Sequence, residues 1–152
     1  MTSNTEQKVS AKRRSLVSSK SAWTLVSLLV IVPVGFYSKL YAGPAANWVN
    51  NSLGGVFYEI FWCLLIFLFW DEGKPWIIAA WVLVATCLLE FLQLWHPSFL
   101  QFMRSYFIGR AVLGTSFAWS DFPYYFLGCG IAWLWLSRLQ KVGRRHGIET
   151  SV

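Results

Sequence analysis

The stretch Trp76-Ile-Ile-Ala-Ala-Trp-Val-Leu-Val-Ala-Thr-Cys-Leu-Leu-Glu90-Phe-Leu-Gln93-Leu-Trp95 carries a single charged residue, Glu90. A helix rises 1.5 Å per residue, so a run of this length covers roughly 30 Å, the thickness of a bilayer's hydrocarbon core. The tryptophans at its two ends suit the membrane interfaces. A second apolar run, from about Ser52 to Trp70, lies just before it and holds Glu59. Only Asp71, Glu72, Gly73, Lys74 and Pro75 join the two, which predicts an antiparallel helical hairpin. Further runs from about Ala22 to Tyr37 and from about Phe122 to Leu139 bring the number of expected spans to four. Pro33 and Gly35 predict a kink or early end in the first.

The composition agrees with an all-α membrane fold. Of the 152 residues, 56% are hydrophobic, 18% aromatic and only 13% charged, against about a quarter charged in an ordinary soluble domain. One bundle, residues 21–140, fills the expected membrane domain. The basic tails 1–20 and 141–152 flank it, the first of a composition that favours disorder. Cys63, Cys87 and Cys129 all fall in apolar runs, where cysteine acts as a small hydrophobe, and their spacing forms neither a disulfide framework nor a metal motif. His96 and His146 have no second ligand at suitable spacing. No metal and no cofactor are expected.

Lysine and arginine set the orientation. Ten of them, Lys8, Lys12, Arg13, Arg14, Lys20, Lys74, Arg138, Lys141, Arg144 and Arg145, fall on one side of the expected spans. Lys39, Arg104 and Arg110 fall on the other. The expected topology is therefore a multi-pass protein of the bacterial cytoplasmic membrane with both termini inside. The net charge of +6 reads as a topology signal with possible contact to anionic lipid, in preference to nucleic-acid binding. The basic start followed by an apolar run resembles a signal peptide, but its length argues for a retained anchor.

Between the third and fourth spans, Ser98-Phe99-Leu100-Gln101 matches a capping box after Pro97, and apolar residues continue to Gly109. This predicts a short interfacial or re-entrant helix ending at Gly109, with Ser120 or Asp121 capping the last span. Small and polar residues form a stripe on each of three spans: Ser52, Gly55, Glu59 and Cys63; Ala79, Thr86, Glu90 and Gln93; Asp121, Tyr125, Gly128 and Ala132. Such stripes face one another in packed membrane helices. Glu59, Glu90 and Asp121 then share the outer half of the bundle with Gln93. Arg104 and Arg110, on the external segment, are the cations suited to pair these carboxylates. These six residues, Glu59, Glu90, Gln93, Arg104, Arg110 and Asp121, are the candidate polar pocket.

The pattern Glu90-Phe-Leu-Gln93, Arg104, Arg110, Asp121 and a final helix with Gly128 and Gly130 resembles the VanZ-like group of small bacterial membrane proteins. Gly109-Arg110-Ala-Val-Leu-Gly114-Thr-Ser-Phe-Ala-Trp119-Ser-Asp121 is similar, more closely, to a four-span family defined by a domain of unknown function, 2809. The resemblance implies a cell-envelope protein without established catalysis. Three functional readings follow. The favoured one is a protein that binds or modulates an anionic envelope lipid or lipid-linked precursor from the outer leaflet. The others are a proton-coupled transporter subunit and a membrane enzyme on an envelope lipid, beside a purely structural role. Transport is disfavoured by four spans without an inverted repeat, and enzymatic turnover by the lack of a nucleophile constellation. The oligomeric state is not encoded in any pattern of the chain.

Overall fold

In the computed structural model the backbone is described for residues 3–70, 73–95, 97–113 and 117–149, and side chains chiefly for residues 20–142. The hairpin residues Asp71 and Glu72, and His96, lie outside the described residues, as do the side chain of Arg110 and that of His146. All regular structure among the described residues is helical. Helix α1 is Ser3–Leu40, α2 is Ala46–Trp48, α3 is Gly54–Phe69 and α4 is Pro75–Leu92. Two short helices follow, α5 at Ser98–Ser105 and α6 at Phe107–Leu113, then the long α7, Phe122–Glu149.

Two segments, Lys20–Leu40 of α1 and the whole of α4, are long and apolar enough to cross a membrane. Only 28% of the first and 33% of the second is buried, so neither behaves as the core helix of a soluble protein, whose apolar residues are mostly covered. Their outward faces carry Leu29, Val30, Trp81 and Leu88, each more than half exposed. The expected early end of the first span does not occur: α1 runs through Pro33 to Leu40. The second apolar segment, α3, is shorter. A π-helical turn, Val49–Leu53, sets it apart from α2, so that helical backbone continues from Ala46 to Phe69 in three pieces.

Helix α7 packs against α1, α3 and α4, and α3 and α4 pair as the expected hairpin. Pro75 opens α4, where its missing N–H costs nothing. The core divides by depth. Toward the end of the bundle where α3 and α7 begin and α4 ends, the buried polar residues Glu59, Thr86, Glu90 and Gln93 sit among Val56, Ile60, Tyr125 and Cys129. Toward the other end the buried residues include Cys63, Leu64, Phe67, Ile78, Val82, Ala132, Leu136 and Leu139.

The external segment differs from expectation in two ways. Pro97 holds the cap position and no side-chain cap bond forms, so the Ser98–Gln101 capping box is not made. Nor does the helix end at Gly109. The break falls at Tyr106, whose backbone is extended at φ −85° and ψ 148°, and Gly109 lies inside α6. A Cβ at Gly109 would collide with the Met103 carbonyl. Only glycine lets α6 fold back this closely on α5.

Candidate functional site

The site is built from three helices. Glu59 projects from the second turn of α3, and Glu90 from the last turn of α4. From α7 come Tyr125 and Cys129, one turn apart and therefore on one face. Each of these side chains donates to one carboxylate: the Tyr125 hydroxyl to Glu90 Oε2 at 2.9 Å, and the Cys129 thiol to Glu59 Oε2 at 3.0 Å. Both glutamates are fully enclosed, at 1% and 0% exposure.

Their surroundings differ sharply. Glu90 receives three donors: the Tyr125 hydroxyl, the Gln93 side-chain amide at 2.8 Å, and the backbone N–H of Ala118 at 2.9 Å. The last of these ties the segment entering α7 to the end of α4. Glu59 has the weak thiol donor on one oxygen, and its Oε1 has no partner among the described residues. Gln93 Oε1 is likewise buried without a partner. The Thr86 hydroxyl, nearest on α4, spends its proton on the Val82 carbonyl at 2.9 Å.

Close helix approach makes this convergence possible. At Gly55 an added Cβ would lie 3.2 Å from the Tyr125 ring, and at Gly128 it would meet Glu59 and the Val56 backbone. Most members of the three predicted stripes are buried, with Cys63, Ala79, Thr86, Gly128 and Ala132 enclosed, whereas Ser52, Gly55 and Asp121 are only partly covered and Ser52 and Asp121 lie in the turns before α3 and α7. Phe91, Phe117, Trp119 and Phe122 form one aromatic cluster on either side of Ala118, whose N–H bonds to Glu90, and the Phe122 ring meets that of Tyr125 edge to face at 6.2 Å.

The remaining candidates sit at the rim. Arg104 reaches backbone carbonyls, of Leu92 at 3.2 Å and Trp95 at 3.5 Å, where the end of α4 leaves acceptors unpaired. It therefore caps α4, and its described bonds include no carboxylate. Asp121 ends a 3-10 turn, Trp119–Asp121, and accepts from Ser120 at 3.3 Å. The cation that shares its electrostatic environment is Lys39 of α1, whose ammonium donates to the Asn50 carbonyl at 2.6 Å. Arg110 lies on α6, and its side chain is outside the described residues. Among the described residues no group of three or more metal-ligating side chains converges.

Sequence reasoning placed Tyr125 on the correct stripe without giving it a bond, and missed Cys129 and Lys39. The i, i+4 spacing of Tyr125 and Cys129 was the available signal. Lys39 was legible only as a topology charge, because its partners come from other elements. No solved structure matches the chain. A family model does match, over residues 44–129, a stretch that holds every residue of the site from Glu59 to Cys129 and more than half the chain; on that evidence the chain belongs to the family described as protein of unknown function, DUF2809.

Proposed function

We propose that this is a four-span, VanZ-like protein of the bacterial cytoplasmic membrane, with both termini inside, that binds an anionic envelope lipid or lipid-linked precursor at the outer end of its bundle. The observation that carries the reading is the charge at that end. Among the described side chains Lys39 and Arg104 stand there against one rim carboxylate, Asp121, with Arg110 carried by α6, while Glu59 and Glu90 are enclosed below the surface. An anionic group arriving from outside meets the basic rim first, and guanidinium groups suit phosphate geometry. Exposed Phe99, Phe102, Tyr106 and Ile108 on α5 and α6 supply apolar surface beside Arg104 for an acyl or polyprenyl chain.

Four spans are supported by the length of α7 and by the continuous helical path from Ala46 to Phe69, each exceeding the roughly 20 residues needed. The test is the mass of lipid that co-purifies in mild detergent. Anionic species should be enriched over the bulk membrane, and Arg104→Ala with Arg110→Ala should abolish the enrichment. Unchanged lipid composition in the double variant would sink the proposal.

A further inference from the structure

We propose that Glu59 is a proton-binding site: its carboxyl carries a proton inside the bundle and acts as a latch between α3 and α7. The argument begins with the two glutamates. They are equally buried, but among the described residues Glu90 is met by three donors and Glu59 by the Cys129 thiol, with no hydrogen-bond partner on its Oε1. A buried carboxylate oxygen without a donor or counter-charge is costly, and a charge at membrane depth more so. A neutral carboxylic acid removes that cost, since the proton supplies the missing polar hydrogen. Two carboxyls whose surroundings differ this much divide the roles of proton carrier and acceptor between them.

The groups facing Glu59 offer no alternative neutralisation. From α7 they are Cys129 and Tyr125, from α4 Thr86, Cys87 and Glu90, and from its own helix Cys63; the Thr86 hydroxyl is neutral and donates to the Val82 carbonyl. The cation of α1, Lys39, is directed at Asn50. Among the described residues, not one of these facing groups brings a positive charge.

The latch follows from position. The Cβ of Glu59 lies directly beneath Gly128, where α3 and α7 pass so closely that even a methyl group would not fit. Loss of the proton leaves a bare charge in that contact, and separation of the helices is the way water reaches it. From Glu59 the polar side chains of α4 and α7 lead toward the outer end, through Cys129, Tyr125 and Glu90, while Leu64, Phe67, Ile78 and Leu136 close the other half and the buried hydroxyls there, Thr24 and Ser27 of α1, donate to carbonyls of their own helix. The proton therefore exchanges with the outer side.

Infrared spectroscopy of the full chain in lipid, with glutamate labelled at the side-chain carboxyl with carbon-13, tests this. At neutral pH the wild type should show an isotope-shifted carbonyl band of a protonated carboxylic acid. The band should vanish in Glu59→Gln and persist in Glu90→Gln. As pH rises it should disappear together with an increase in Cys129 alkylation by a maleimide, and in Glu59→Gln the alkylation rate should rise at least tenfold less. A wild type without the band, or a band lost in Glu90→Gln but kept in Glu59→Gln, would overturn the assignment. Alkylation of Cys129 that rises equally in wild type and Glu59→Gln would overturn the latch. If Glu59→Gln fails to fold, the persistence of the band in Glu90→Gln decides the matter alone.

Discussion

A methyl group added at Gly128 would come to 2.8 Å from the Glu59 Cβ and 2.9 Å from the Val56 carbonyl oxygen, whereas the same addition at Gly130 meets nothing within 4 Å. Overpacking of a close helix contact costs typically 1 to 3 kcal/mol. Gly128→Ala should therefore lower the thermal unfolding midpoint in detergent by several degrees, while Gly130→Ala should leave it unchanged or raise it, since alanine is the better helix former. Equal effects at both positions would mean that α3 and α7 do not cross at Gly128. Asp121, outside the spans, has its carboxyl held above the ordinary carboxylate range by burial first and then by the charge of Glu90, with Ser120 and Lys39 pulling the other way. A carboxyl held high stabilises the fold fully below its unfolded value, about 3.9, and loses that contribution as pH rises through the folded value. Asp121→Asn cannot ionise, so its stability relative to wild type should grow as pH rises above the unfolded value of about 3.9 and level off once Asp121 has ionised in the folded protein. A gap that shrinks instead would show that Lys39 dominates. At this scale the sequence was legible where a charged residue interrupts an apolar period, as at Glu90 with Gln93. It was silent on Cys129, because a cysteine in an apolar run looks the same whether its thiol is idle or bonded.

The elements were legible to different degrees for physical reasons. The α3–α4 hairpin follows from two apolar runs joined by a loop too short for any other geometry. The external segment was harder to read, because chain reversal at Tyr106 uses extended backbone that any residue adopts. Its glycine marks a close approach, where a helix end was expected. That distinction makes a prediction for the pair α5 and α6. Gly109→Ala should force α6 off α5 and disturb the Tyr58 hydroxyl's bond to the Val112 carbonyl, 3.0 Å long. Limited proteolysis between residues 105 and 114 should then become at least several-fold faster, with the rest of the bundle intact. Unchanged cleavage would place the α5–α6 contact outside the stable fold.

For the whole molecule, the division of the core into polar and apolar halves argues against a conduit. A path for ions or protons needs polar groups at every depth, and here the buried residues of α3, α4 and α7 below Glu59 include Cys63, Leu64, Phe67, Ile78, Leu136 and Leu139, while the buried hydroxyls of Thr24 and Ser27 on α1 are spent on carbonyls of their own helix. Vesicles containing the purified protein should show the same decay of an imposed pH gradient as empty vesicles. A gradient that collapses faster in proportion to protein content would require a second copy to complete a path. The outward apolar faces of α1, α4 and α7 and the inward polar groups were both foreseeable from composition. The interruption between α2 and α3 was not, since the π turn at Val49–Leu53 has no marker residue of its own.

That π turn sets the angular phase of everything after it. One residue of α-helix turns the chain by about 100°. Upstream of the turn, Trp48 donates to the Tyr124 hydroxyl at 2.9 Å; downstream, Glu59 accepts from Cys129 on the same partner helix. An unbroken helix with one residue fewer could satisfy either bond, while the other side chain swung a quarter-turn or more away from α7. The extra residue works like a vernier between two fixed marks on α7, so this segment tolerates changes of side chain far better than any change in its length.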